Sequence, residues 1–155
     1  KLGWWARVSL LSLVLFLDSG RRVVVFSQFV EMQKLIHKTL EGMGVKDSLW
    51  LHGGTRKRGE VVEKFQSDDG PPVIVVSLKA GGTGVTLTRA DTVLHYDPWW
   101  NPAVEDQATD RAHRMGQTRP VTIYRLITQN TIEDKIVALH QHSRIHCAMN
   151  SNIAF

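Results

Sequence analysis

The stretch Gln107-Ala108-Thr109-Asp110-Arg111-Ala112-His113-Arg114-Met115-Gly116-Gln117 holds the residues best suited to act on a phosphate. Read as a helix, it places Gln107, Arg111 and Arg114 at i, i+4 and i+7, on one stripe. Val104, Ala108, Ala112 and Met115 form a second, apolar stripe that can face a core. Guanidinium groups are planar, always charged and forked. Two of them on one stripe, just before a glycine, suit a phosphoryl group whose charge spreads during transfer. An ordinary amphipathic helix with surface arginines has the same spacing, and spacing alone favours that plainer reading.

Ser77-Leu78-Lys79-Ala80-Gly81-Gly82-Thr83-Gly84-Val85-Thr86-Leu87 is the second candidate. Glycines after a buried strand let backbone N–H groups approach an anion closely. A tight structural turn explains them equally well. No Gly-Lys-Ser/Thr follows at the spacing of a phosphate-binding P-loop, here or elsewhere in the chain. Asp97-Pro98-Trp99-Trp100-Asn101-Pro102 sets two tryptophans at a strand-to-helix corner; at least one is expected to pack inward, while the other could meet a partner lobe or DNA. His140, His142, His146 and Cys147 do not fall on one helical face, so no metal site is expected from them.

These segments need a frame, and the apolar pattern supplies one. Val23–Phe26 and Val73–Val76 are β-branched runs of buried-strand type. Ser48–Leu51, Thr92–His95 and Val121–Leu126 complete a set of short strands. Phe29, Met32, Leu35, Ile36, Leu40 and Met43 are spaced for one helical face, with Gly42 and Gly44 as stop signals. Val61, Val62 and Phe65 mark a short helix. Asp68-Asp69-Gly70-Pro71-Pro72 is turn chemistry. Asn101 suits a helix cap and Pro102 the first helical position. Glu105 and Asp106 then sit near the positive end of that helix. Thr131–Asp134 resembles a capping box that opens a last helix. Alternating strands and helices imply a mostly parallel sheet covered on both faces, with ligands at the loops after the strands' carboxyl ends.

Composition bounds the rest. The chain has 155 residues, 43% hydrophobic and 22% charged, which suits one folded core rather than disorder. Nineteen Lys and Arg against 15 Asp and Glu leave a net charge of +4, compatible with a nucleic-acid partner but no proof of one. One cysteine excludes a disulfide framework within the chain and points to a reducing, intracellular compartment. The apolar stretch Leu10–Leu17 falls short of the roughly 20 residues that span a bilayer. It is read as a buried helix within an apolar segment 1–18, and no membrane partner is expected.

Taken in order, the segments between about Ser19 and Leu139 resemble the C-terminal half of the SWI/SNF-type ATPases of helicase superfamily two. Val25-Phe26-Ser27-Gln28 is similar to the fourth motif of that family. Gly53-Gly54-Thr55, Arg58 and Phe65 resemble the next block, and Ser77–Leu87 the fifth motif. Asp97–Pro102 and Gln107–Gln117 resemble the block that ends in the sixth. Gln117 after His-Arg-Met-Gly, together with the preceding Trp-Trp-Asn-Pro, sets the chain apart from RNA helicases of the DEAD-box type, which usually carry Arg at that place.

The resemblance implies a RecA-like three-layer α/β/α lobe over 19–140, followed by a tail, 141–155, to which no role is assigned. It implies that ATP and Mg2+ are held mainly by a preceding lobe carrying the Walker A lysine. Arg111 and Arg114 would be arginine fingers, with Gln107, Gly82 and Gly84 at the nucleotide cleft. Ser27, Gln28, Ser77, Lys79, Ala80 and Thr83 would contact DNA. The implied partners are double-stranded DNA, that preceding lobe and a DNA-bound protein. Without the Walker A lobe these 155 residues are expected to be inactive alone. The alternative is a non-catalytic DNA- or protein-binding platform derived from such a lobe. The compact spacing of the motifs points to a prokaryotic source, hence cytoplasm or nucleoid, against the nucleus for a eukaryotic one.

Overall fold

The computed structural model describes residues 17–45, 47–81, 84–127, 131–133 and 135–138. The segment 1–16, Gly82, Thr83, the tail and the His/Cys group at 140–147 lie outside the described residues. Five strands, β1 (Val23–Ser27), β2 (Ser48–Leu51), β3 (Val73–Ser77), β4 (Thr92–His95) and β5 (Thr122–Arg125), form one sheet in the order β2-β3-β1-β4-β5. Every pairing is parallel, with Val23 opposite both Val73 and Thr92. A parallel sheet needs helical crossovers, and these are α1 (Val30–Gly42), α2 (Arg58–Gln66), the single turn α3 (Leu78–Gly81) and α4 (Pro102–Thr109).

The sheet is covered on both faces because its strands alternate two apolar sets. Val24, Phe26, Ile74, Val76 and Val93 join Phe65 of α2 and Ala108 of α4 in one core. Val23, Val25, Val73, Val75 and Leu94 join Ile36 and Leu40 of α1 in the other. β1 and β3 are buried along their whole length, as the β-branched runs require. The expected three layers are therefore present, and every predicted strand is found within two residues of its place. The Asn101 cap is found too: its side chain accepts from the Ala103 N–H at 3.0 Å, with Pro102 at the first helical position.

Two helices depart from their sequence pattern. In α1 the buried positions are Gln33, Ile36 and Leu40, while Leu35 and Phe29 are exposed. Gln33 earns its place by bonding: its amide donates to the Ser27 carbonyl at 3.0 Å and accepts from the Trp50 indole at 2.7 Å. The helix expected to run from Asn101 past Arg114 ends at Thr109. Its next carbonyls are taken by other segments: Leu87 N–H bonds the Arg111 carbonyl at 2.8 Å, and the Gln117 side chain reaches that of Ala112 at 3.3 Å. The N–H groups of Arg111 and Ala112 bond only three residues back, to the Ala108 carbonyl at 3.2 Å and the Thr109 carbonyl at 3.0 Å, so the chain tightens into turns. Met115, expected on the core stripe, is consequently fully exposed.

Candidate functional site at the strand ends and the arginine turn

Three strands end side by side at Ser27, Ser77 and His95, and the chemistry there is one of internal ties. Ser27, fully buried, donates to the Asp97 carboxylate at 2.5 Å, and the Gln28 N–H donates to the other carboxylate oxygen at 2.8 Å. The Gln28 side chain donates to the Pro98 carbonyl at 3.3 Å. Burial pushes the Asp97 carboxyl above its ordinary range, and the bonds from Ser27 and Gln28 pull it back. One carboxylate thus locks the end of β1 to the corner that follows β4.

The corner itself is held by a second carboxylate. Glu105, read from sequence only as an acid near a helix start, is almost wholly buried. It accepts from the Trp99 N–H at 2.7 Å and pairs with Arg125 of β5 at 2.9 Å. Trp99 packs on the core, as expected of at least one of the pair, and Trp100 is exposed. Beneath them His95 lies against Phe26 and bonds the Thr109 hydroxyl at 3.0 Å. Burial lowers its pKa to about 4, against the opposing pull of Glu105.

Of the expected DNA contacts, Lys79 is exposed and Gln28 half-buried, side by side at the carboxyl edge. Ser27, Ser77 and Ala80 turn their side chains inward. The Ser77 hydroxyl accepts from the Ala80 N–H at 3.1 Å and so caps the α3 turn, and the Ser27 hydroxyl is occupied by Asp97. These three shape the edge rather than present side chains on it. Thr83 and Gly82 are outside the described residues; Gly84 turns with φ +77° and is exposed.

The arginine segment lies elsewhere, not after a strand's carboxyl end. Gln107 is exposed on α4, Arg111 is half-buried in the turn beyond it, and Arg114 is exposed. The single stripe foreseen for them stops with the helix. Their turn is pinned to the loop that leads into β4: Gln117 donates to the carbonyls of Thr88 at 2.8 Å and Ala90 at 2.7 Å, beside the Leu87–Arg111 bond. Lys79 thus stands at the carboxyl edge, while Leu87 to Ala90 hold the arginine turn. Among the described residues no group of three His, Cys, Asp or Glu could hold a metal ion. No helix among the described residues is long and apolar enough to cross a membrane.

The fold is thus a doubly covered parallel sheet whose motif-bearing segments follow β1, β2, β3 and β4, with the arginine turn beyond α4. Residues 6–116 match the helicase conserved C-terminal domain. The chain is 44% identical over 122 residues to the uncharacterized ATP-dependent helicase MG018 of Mycoplasma genitalium, covering 77% of this chain and 12% of that protein. It superposes on the C-terminal part of the Fun30 ATPase domain with a TM-score of 0.79 at 36% identity, over 86% of this chain and 44% of that one. It superposes on the SWI2/SNF2 ATPase core of Sulfolobus solfataricus with a TM-score of 0.68 at 40% identity, over 83% and 26%. The chain belongs to the helicase C-terminal domain family, in its SWI/SNF branch, and has the RecA-like fold of that branch.

Proposed function

We propose that this chain is the second motor lobe of an ATP-dependent double-stranded-DNA translocase that remodels protein–DNA complexes. The observation that carries the reading is the arginine turn. Arg111 and Arg114 sit on backbone fixed by the Leu87–Arg111 bond and by the three bonds of the Gln117 amide. Preorganised positive charge is what a phosphoryl transfer asks of a residue supplied across a cleft. In this reading Arg111 and Arg114 meet the γ-phosphate of ATP held with Mg2+ by a preceding lobe. Gln107 orients nucleotide or fingers, and Gly82 and Gly84 line the cleft.

The carboxyl edge does the other half of the work. Gln28 and Lys79 meet DNA phosphates, with Ser27, Ser77, Ala80 and Thr83 shaping or lending backbone to that contact. Phosphate contacts of this kind are sequence-independent and weaken with salt. The segment from Lys79 to Ala90 touches both the DNA edge and the arginine turn, which gives closure of the cleft a direct route to the DNA grip. Turnover would then move the motor along one strand of an intact duplex, beside a DNA-bound protein as substrate. The 155 residues alone bind duplex weakly at low salt and do not hydrolyse ATP.

The test is displacement of a third strand from a triplex by the polypeptide that carries both lobes. ATP-dependent release of the third strand, with the underlying duplex left paired, is expected. Separation of the duplex strands, or equal preference for RNA, would overturn translocation in favour of unwinding.

A further inference from the structure

A polar cavity of about 220 Å3 opens at the amino-terminal edge of the sheet, opposite Gln28 and Lys79. Thr88, Arg89, Thr118 and Arg119 line it, together with Gln66 and Gln117. Both amides are committed to the walls. Gln66 accepts from the Arg89 N–H at 2.9 Å and donates to the Thr88 hydroxyl at 3.1 Å. Gln117 donates to the Thr88 and Ala90 carbonyls and accepts from the Arg119 N–H at 3.0 Å. The other polar side chains lining it are two guanidinium forks, that of Arg89 shared with Asp68, and two hydroxyls, of which that of Thr88 still has its O–H to donate; together they are a donor set for an anion.

The charge around the cavity supports the same reading. Arg22, just before β1, is near enough that its pKa is lowered, by burial first and then by Arg89 and Arg119, against the opposing pull of Asp68 and Asp69. Of the compensating carboxylates, one is exposed and the other is bonded elsewhere. Asp68 pairs with Arg89 at 2.5 Å, but its side chain is 86% exposed. Asp91 gives one oxygen to the Thr92 hydroxyl and stands 3.6 Å from Arg119, beyond hydrogen-bond reach. The Arg89 Nε is buried with no hydrogen-bond partner. Arg89 and Arg119, from two separate segments, thus line the cavity, and Arg22, whose guanidinium donates to the Phe65 and Asp68 carbonyls, adds to the positive charge beside it.

We propose that this cavity is a phosphate-binding site, in which Arg89 and Arg119 hold a phosphoryl or phosphodiester group and Asp68 is the internal competitor for Arg89. Bidentate contact from two forks is the geometry by which arginine selects planar oxyanion edges. A phosphate bound there would brace the segment Gly116–Arg119, directly after Arg114. The site does not depend on the motor reading, because its binding is measurable without ATP turnover.

The experiment is calorimetric titration of this 155-residue chain with pyrophosphate, and separately with a short duplex DNA, at low salt. Saturable pyrophosphate binding is expected. Arg89→Gln and Arg119→Gln should each weaken it by about tenfold or more, the loss of a charge-assisted contact. Asp68→Asn should strengthen it, whereas a purely structural Arg89–Asp68 pair gives no such gain. Arg56→Gln, on an exposed segment, should leave it unchanged. If the same two arginine variants also weaken the duplex, the group bound is a DNA phosphate; if only pyrophosphate is affected, it is a free phosphate. Thermal melting of each variant separates lost binding from lost folding. No saturable binding by the folded wild-type chain, or equal binding by both arginine variants, overturns the proposal.

Discussion

The Ser27 hydroxyl donates to the Asp97 carboxylate at 2.5 Å across seventy residues of sequence, with both side chains buried. The bond joins the ends of β1 and β4, neighbouring strands whose register brings Phe26 opposite His95. It also explains why a motif serine expected to touch DNA points inward.

Asp97→Ala leaves the Ser27 hydroxyl and the Gln28 N–H without their acceptor in a buried place. It should cost about 2–4 kcal/mol, one to two unsatisfied buried donors. Asp97→Asn keeps one carbonyl oxygen for Gln28 and should cost about 1 kcal/mol. Urea denaturation of the three proteins checks both, with the m-value unchanged.

Gln117→Ala should loosen two segments at once. Its amide serves the carbonyls of Thr88, Ala90 and Ala112. A loss of about 1–3 kcal/mol is expected, with faster amide exchange at Leu87, whose N–H binds the Arg111 carbonyl. Unchanged exchange at Leu87 would show that the Arg111 turn holds without Gln117.

His95 makes stability depend on pH. Its pKa falls from 6.5 to about 4 on folding, because burial disfavours the imidazolium. The unfolded chain therefore takes up the proton first as pH falls. The stabilisation is complete above 6.5 and is lost progressively down to about 4. The full loss is about 3 kcal/mol, from about 1.4 kcal/mol for each pH unit of difference. His95→Gln, which can still bond the Thr109 hydroxyl, should remove this dependence. Denaturation midpoints of the two proteins at about pH 7.5, above the window, and about pH 4.5, in its lower part, make the comparison.

Glu105→Ala removes the acceptor of the Trp99 N–H and the partner of Arg125. Because Glu105 is buried and Arg125 partly exposed, the cost should be about 2–3 kcal/mol rather than that of a fully buried pair. Trp99 emission should shift to the red as the corner opens.

The strands were readable because β-branched runs such as Val23–Phe26 have one good use in a doubly covered sheet. The Asn101-Pro102 helix start was readable because capping is local. What sequence did not reveal depends on partners distant along the chain. Gln33 is buried for the sake of Trp50 and Ser27, Glu105 for Arg125, and the turn that leaves Met115 exposed is tied to Leu87 and to the Thr88 and Ala90 carbonyls. No periodicity encodes such ties. The family motifs pointed to Arg111 and Arg114, but not to the pinned turn that carries them.

The most direct test of the account is duplex-stimulated ATP hydrolysis by the two-lobed polypeptide, with wild type and Arg114→Ala compared at equal DNA occupancy. Arg114 is exposed on its turn, so its removal should leave the fold intact. The account predicts a fall in turnover of about 10³-fold or more, the usual effect of losing an arginine finger, with duplex binding retained. Turnover equal to wild type would contradict the assignment of this turn as the source of catalytic charge.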